Sequence, residues 1–105
     1  MELQVNAAEG MQTSTALEDH IRAKLAGVER RFGERVTRVE TYLKDVNAGK
    51  GGVDTTCTLE AHPSGLNPVV VESQATDAYS ATHDAARKLE KALEHRFARA
   101  EGPHR

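Results

Sequence analysis

The chain has 105 residues, of which 38% are hydrophobic and 29% charged, and it contains a single cysteine, Cys57. This length suits one domain with one hydrophobic core, and a lone cysteine excludes an internal disulfide, which favours a reducing, cytoplasmic setting. A formal net charge of −2 disfavours a protein that coats polyanions along its whole surface, because such proteins are strongly basic.

The first third of the chain predicts a strand followed by a helix. Apolar residues alternate with polar ones near the N-terminus, as in a strand with one buried face, and they are Leu3, Val5 and Ala7. Thr15 followed by Glu18 matches a capping box, so we expect a helix to open at Ser14-Thr15. The apolar stripe of this helix consists of Leu17, Ile21, Leu25, Val28 and Phe32. Gly33 suits the end of the helix.

Three strands are predicted in the middle of the chain, because apolar and polar residues alternate strictly in three runs. The core-facing residues are predicted to be Val39, Thr41 and Leu43, then Val53, Thr55, Cys57, Leu59 and Ala61, then Val69, Val71, Ser73 and Ala75. Turns are predicted at 47–52 and 62–68 from their composition. Residues 49–52 are similar to a phosphate-binding loop, but they run from one strand into another, so a hairpin turn is favoured.

The last predicted element is a helix with Asp77 as its N-cap. Its apolar stripe is predicted to consist of Tyr79, Ala86, Leu89, Leu93 and Phe97, with Tyr79 as a core residue. The order β-α-β-β-β-α predicts an α+β fold, in which a four-stranded sheet carries both helices on one face, as in double-stranded-RNA-binding domains. The first strand should lie parallel to its neighbour. The domain is predicted to span residues 1–98, and residues 99–105 are expected to be a disordered tail.

No catalytic or metal-binding set is recognisable from sequence spacing. Cys57 lies mid-strand on the apolar side, where a buried core residue is favoured over a reactive nucleophile. No two histidines have His-x-x-x-His spacing and no second cysteine accompanies them, so no metal site is predicted. Asp19-His20 and His83-Asp84 are neighbours on helices and diverge around the axis, so neither pair forms a dyad. We therefore expect no enzyme activity, no cofactor and no small-molecule substrate.

Positive charge is concentrated on the two predicted helices. On the second helix, Arg87, Lys91, His95 and Arg99 recur every four residues and form a ridge, which Lys88 and Arg96 flank. The first helix carries Arg22, Lys24, Arg30 and Arg31. Solvated helix faces are the ordinary interpretation of such charge. The alternative is that two neighbouring helices join these residues into one surface that contacts RNA phosphates.

Several short motifs, taken in order and spacing, resemble those of short ribosome hibernation-promoting factors, also called ribosome-associated translation inhibitors. The matching segments are Ser14-Thr15-Ala16-Leu17, His20-Ile21, Lys24-Leu25-Ala26, Asp77-Ala78-Tyr79-Ser80-Ala81 and Lys88-Leu89-Glu90-Lys91-Ala92-Leu93. The resemblance spans about residues 1–98 and implies that this span is a domain like that of hibernation-promoting factors. Glu18 and Gly27 stand where the family often has arginine or lysine.

The resemblance implies a non-enzymatic, cytoplasmic factor that binds the small ribosomal subunit and its rRNA. Such a factor occupies the mRNA and tRNA channel and inhibits translation under stress or in stationary phase. The residues expected to contact rRNA are Arg22, Lys24, Arg30, Arg31, Arg87, Lys88, Lys91 and His95. We expect a monomer without the dimerisation domain of long family members, and no membrane association. The alternative is a protein-interaction or stress-associated module that has kept this fold and lost strong rRNA binding.

Overall fold

The computed structural model describes residues 1–8, 13–45 and 55–101. In chain order they form strand β1 (Glu2–Ala7), helix α1 (Thr15–Phe32), strands β2 (Val36–Asp45), β3 (Thr55–Pro63) and β4 (Val69–Ala75), and helix α2 (Ala78–Glu101). The sheet order is β1-β2-β3-β4, with β1 parallel to β2 and the other pairs antiparallel. The predicted α+β fold, element order and parallel first pair are confirmed. The turn predicted at 47–52 and the position of Val53 lie outside the described residues.

The core lies between one face of the sheet and the two helices. All five residues of the α1 stripe are buried, as are the inward residues of the central strands, which include Val39, Leu43, Cys57, Leu59 and Ala61. They join Leu89 and Leu93 of α2 in one hydrophobic cluster. The other face of the sheet is polar, apart from Tyr42 and Val70, which are exposed. The predicted inward and outward alternation is therefore confirmed, except that the outward Thr56 is also buried, and both helices cover the same face.

The N-cap of helix α1 is Ser14, one residue before the predicted capping box. Ser14 has an extended backbone, with φ of −129°, and its hydroxyl accepts a hydrogen bond of 3.1 Å from the N–H of Leu17. Thr15 is thus the first helical residue. The prediction that Thr15 and Glu18 form a capping box is wrong, because the N-cap residue of such a box must have a non-helical backbone. Gly33 ends the helix with φ of −53°, so no left-handed backbone is needed there. A Cβ atom at this position would lie 2.5 Å from the carbonyl oxygen of Glu29, so the close approach to the backbone favours glycine, as predicted.

Helix α2 begins after Asp77, as predicted. Oδ1 of Asp77 accepts a hydrogen bond of 2.8 Å from the N–H of Ser80, and this bond lowers the pKa of the Asp77 carboxyl. A carboxyl with a lowered pKa in the folded state stabilises the fold above its unfolded pKa. That contribution is lost as the pH falls through the folded value.

We expect Asp77→Ala to lower the Tm by a few degrees at neutral pH, because the N-cap is lost. The difference from the unmodified protein should shrink as the pH falls below about 4, the ordinary range of an aspartate. Asp77→Asn is the control, since asparagine also caps helices and should keep most of the stability at neutral pH. Thermal unfolding over a pH series measures both variants, and an equal loss in the two would contradict the capping role.

Helix α2 continues past the predicted domain boundary at residue 98 and ends at Glu101. Phe97 stacks on Phe32, with 5.5 Å between the ring centroids, and the Arg35 guanidinium lies 4.1 Å from the Phe97 ring centroid. Glu101 pairs with Arg35 at 3.0 Å. These contacts hold the last turn of α2 against the end of α1, so residues 99–101 are helical and not part of a disordered tail. Residues 102–105 lie outside the described part of the chain.

Tyr79 is 42% exposed, so the prediction that it is a core residue is wrong. The buried face of α2 starts instead at Ala81 and Thr82. Tyr79 lies on the flank of the stripe that faces α1, the same flank on which Phe97 meets Phe32. At Tyr79 the neighbour is the smaller His20 ring, packed edge-on at 4.8 Å between centroids, and much of the tyrosine ring stays open to solvent.

Candidate nucleic-acid interface

Helices α1 and α2 lie side by side and run in the same direction. Near their starts, His20 Nε2 donates a hydrogen bond of 3.1 Å to the carbonyl oxygen of Tyr79. Farther along, the Arg31 guanidinium is 3.4 Å from both Glu90 and Glu94. The seam between the helices is therefore closed by ion pairs, and the outward faces of the two helices form one surface.

Three of the predicted cations lie together where α2 faces β4. With neighbouring polar residues they line an open recess of about 420 Å³, called here the basic recess, whose lining is Ser73, Gln74, Asp84, Arg87, Lys88 and Lys91. Lys88 Nζ donates a hydrogen bond of 2.8 Å to the carbonyl oxygen of Glu72 on β4, which holds its ammonium group near the strand. Arg87, Lys88 and Lys91 are all exposed. Exposed cations around a shallow opening suit contact with phosphate groups.

A second recess adjoins the first where the opening turns of the two helices meet. Its lining consists of His20, Lys24, Tyr79, Ser80, His83 and Asp84, and we call it the Tyr79 recess. Asp84 lines both recesses, so they are neighbours. The exposed Tyr79 ring lies beside Lys24, a pairing that suits an unpaired base stacked on the ring with its phosphate near the ammonium. Sequence reasoning missed Tyr79 because its spacing also fits the buried stripe.

The other predicted cations lie outside these two recesses, although Arg31 lines a further recess with Arg87 and Lys91. Arg22 lines a recess with Met1 and Leu3 beside β1, on the side of α1 away from α2. Arg30 is exposed near the end of α1, and Arg31 is paired with two glutamates in the seam. His95 is exposed one turn beyond Lys91. The structure thus brings together Lys24 and the basic recess, while Arg22 and Arg30 stand apart from them.

A protein-family model described as "Sigma 54 modulation protein / S30EA ribosomal protein" matches residues 5–101. The chain belongs to this family. The match runs from β1 to the last turn of α2, so it includes both recesses and the extended end of the helix. The family resemblance predicted from the sequence is confirmed.

Two solved structures share this family fold. One is described as the N-terminal domain of Protein Y from Thermus thermophilus; it is 23% identical, has a TM-score of 0.74 and covers 93% of this chain and 100% of that chain. The other is described as a ribosomal subunit interface protein from Coxiella burnetii; it is 17% identical, with a TM-score of 0.72 and coverages of 93% and 100%. At sequence identities this low, the two similarities show a shared fold and nothing more. A comparison with curated proteins finds no match.

Gly27 lies in the helix seam, opposite Glu90 of α2. A Cβ atom at this position would clash with Oε2 of Glu90. Any side chain here displaces the carboxylate that pairs with Arg31. Glycine within a helix costs about 1 kcal/mol relative to alanine, and in this member of the family it leaves room for Glu90 to lie across α1.

Cys57 takes no part in this surface. Burial raises the pKa of its thiol to about 11, and the Thr82 hydroxyl lies 3.8 Å from its sulfur. The thiol is therefore protonated at neutral pH and enclosed by the core, which confirms the prediction of a structural residue. Neither α1 nor α2, the helices in the described part of the chain, is long and apolar enough to span a membrane.

Proposed function

We propose that this protein binds the small ribosomal subunit through its rRNA, occupies the mRNA and tRNA channel and inhibits translation under stress or in stationary phase. The observation that carries the proposal is the clustering of Arg87, Lys88 and Lys91 in the basic recess, beside the Tyr79 recess. The family is described as one of ribosomal proteins, and a solved structure with this fold is described as a ribosomal subunit interface protein. Binding, and not catalysis, is the proposed activity.

The chemistry of the basic recess fits an RNA backbone. Arg87 can make two parallel hydrogen bonds to one phosphate, whereas Lys88 and Lys91 act as point charges. Arg87 and Lys91 are one helical turn apart, so they form a short row along α2. Because Arg31 is paired with Glu90 and Glu94 nearby, it reduces the repulsion that these carboxylates would exert on a polyanion.

The charge of the outer sheet face supports an orientation with the helices toward the RNA. This face carries two cations, Arg38 and Lys44, and twice as many carboxylates, which are Glu2, Glu40, Glu60 and Glu72. Carboxylates on this face disfavour close approach of phosphates. The RNA is therefore proposed to lie against the two helices, with the sheet facing away.

Sedimentation with purified small ribosomal subunits at two salt concentrations tests the proposal. We expect cosedimentation at low salt that is lost at high salt, because phosphate contacts release counterions. Bound mRNA and tRNA should compete with the protein, and in vitro translation should fall as the protein is added. Absence of cosedimentation at low salt would overturn the proposal and favour the protein-interaction module.

Tyr79→Ala should weaken ribosome binding while leaving the fold nearly intact. The ring is 42% exposed and contacts His20, so its removal should cost no more than about 1 kcal/mol of stability. Loss of a stacking ring should weaken binding about tenfold. Tyr79→Phe should keep most of the affinity. Tyr42→Ala is the matched control, since Tyr42 is the other exposed tyrosine, 40% exposed, on the outer sheet face. Equal binding by Tyr79→Ala and Tyr42→Ala would remove Tyr79 from the interface.

A further inference from the structure

The outer sheet face carries a cluster of metal-ligating side chains that the proposed function does not use. Glu40 on β2 and Glu60 on β3 are direct partners in the antiparallel register, and His62 follows on the same face of β3. Nε2 of His62 is 3.0 Å from Oε2 of Glu60 and 3.5 Å from Oε2 of Glu40. One ligand atom from each residue falls within a group no wider than 4.8 Å.

The cluster contains more negative than positive charge, because Arg38 pairs with Glu40 while Glu60 has only His62 beside it. Two carboxylates directly opposite each other on neighbouring strands repel. Nε2 of His62 is closed off from solvent and has no hydrogen-bond partner among the described residues, although an oxygen of Glu60 is near. A buried polar atom without a partner destabilises the fold. A cation that binds Glu40, Glu60 and His62 would remove both penalties.

We propose that Glu40, Glu60 and His62 bind a divalent transition-metal ion, for which Zn²⁺ is the best fit. Zinc holds imidazole nitrogens and carboxylate oxygens at about 2.0 Å, so its tetrahedral ligands stand about 3.3 Å apart. The two distances from His62 Nε2, 3.0 and 3.5 Å, bracket that spacing. A mixed nitrogen and oxygen set disfavours Mg²⁺ and Ca²⁺, which prefer oxygen ligands. The fourth position would be left to water.

The neighbours of Glu40 hold its carboxylate in place for this role. Arg38 Nε donates a hydrogen bond of 2.7 Å to Oε2, and the Tyr42 hydroxyl donates to Oε1. Carboxylate ligands in metal sites are commonly oriented by such partners. Arg38 also competes for Oε2, but its side chain is 38% exposed and can turn to water when a metal ion takes that oxygen. Glu60, whose side chain is 30% exposed, lies on the path of entry from solvent.

Calorimetric titration of Zn²⁺ into the full, tag-free chain after removal of metal with a chelator tests the site. We expect one saturable site and a rise in Tm on zinc addition. His62→Asn and Glu60→Gln should each weaken binding at least about tenfold and abolish the rise in Tm. His95→Asn is the control, because this histidine is exposed on α2, and it should bind zinc normally. Circular dichroism verifies that each variant is folded.

Arg38→Gln is a variant that is expected to raise the affinity for zinc, whereas the ligand variants lower it. It removes a positive charge beside Glu40 and frees Oε2, so zinc binding should tighten. Mg²⁺ should not compete. The site is overturned if the unmodified protein shows no saturable zinc binding, or if binding persists unchanged in both His62→Asn and Glu60→Gln. The assay contains no ribosomes, and its failure would leave the proposed ribosome binding untouched.

Discussion

Replacing Arg87, Lys88 and Lys91 together by glutamate is expected to weaken binding to small ribosomal subunits by about 100-fold or more. The three cations line one recess, so their reversal turns the surface proposed to bind phosphate into one that repels it. Hydrogen bonds that involve charged groups are the strongest polar contacts in such an interface, and three of them would be lost at once. The salt dependence should also flatten, by roughly one unit of log–log slope for each lost phosphate contact.

The fold should survive this change. All three residues are exposed, and exposed charges contribute little to folding, so the Tm should shift by a few degrees at most. Lys91→Glu should be compared with Lys44→Glu, which changes the net charge equally at an exposed site on the outer sheet face. Undiminished cosedimentation of the triple variant, or equal losses in the two single variants, would show that the basic recess does not bind rRNA.

The fold could be predicted from the sequence because its signals are local and periodic. Alternation along β2, β3 and β4 identifies the buried face of each strand, and the five-residue stripe of α1 identifies the buried face of that helix. With one apolar sheet face and two apolar helix stripes, the two-layer packing follows. The errors at Ser14 and at residues 99–101 concern element ends, where capping geometry and contacts between helices decide the boundary.

The surface was harder to predict because it depends on which residues two helices and paired strands bring together. Spacing along the chain places Arg22 and Lys24 on the same helix. It does not show that Arg22 faces β1 while Lys24 lies beside Tyr79. Nor does it show that Glu90 fills the space above Gly27. The proposed site at Glu40, Glu60 and His62 arises from the register of β2 and β3, and the spacing of histidines and cysteines along the chain gives no sign of it.

The contact between the ends of the two helices is a nonlocal feature with a large expected effect on stability. Phe32 and Phe97 are 5% and 7% exposed and stack on each other, and Arg35 covers the Phe97 ring from the solvent side. Aromatic rings bury more apolar area than other side chains, and a stacked pair gains beyond that area. Because the two rings come from α1 and α2, this contact fixes the spacing of the helices at the end remote from Tyr79.

Phe97→Ala is expected to destabilise the protein by about 3–5 kcal/mol, the usual cost of deleting a buried aromatic ring. That is a large share of the stability of a domain this size, and it should lower the Tm by more than about 12 °C. Phe97→Leu should lose less, because it fills most of the cavity, and Arg35→Ala should cost about 1 kcal/mol or less, because its side chain is 45% exposed. Urea unfolding measures all three variants.

Ribosome binding by the folded fraction of Phe97→Ala at low temperature should be unchanged, since Phe97 lines neither recess. A loss of stability below about 1 kcal/mol would show that the last turn of α2 adds little to the fold, whereas lost binding with intact stability would place the RNA contact along the whole length of the helix.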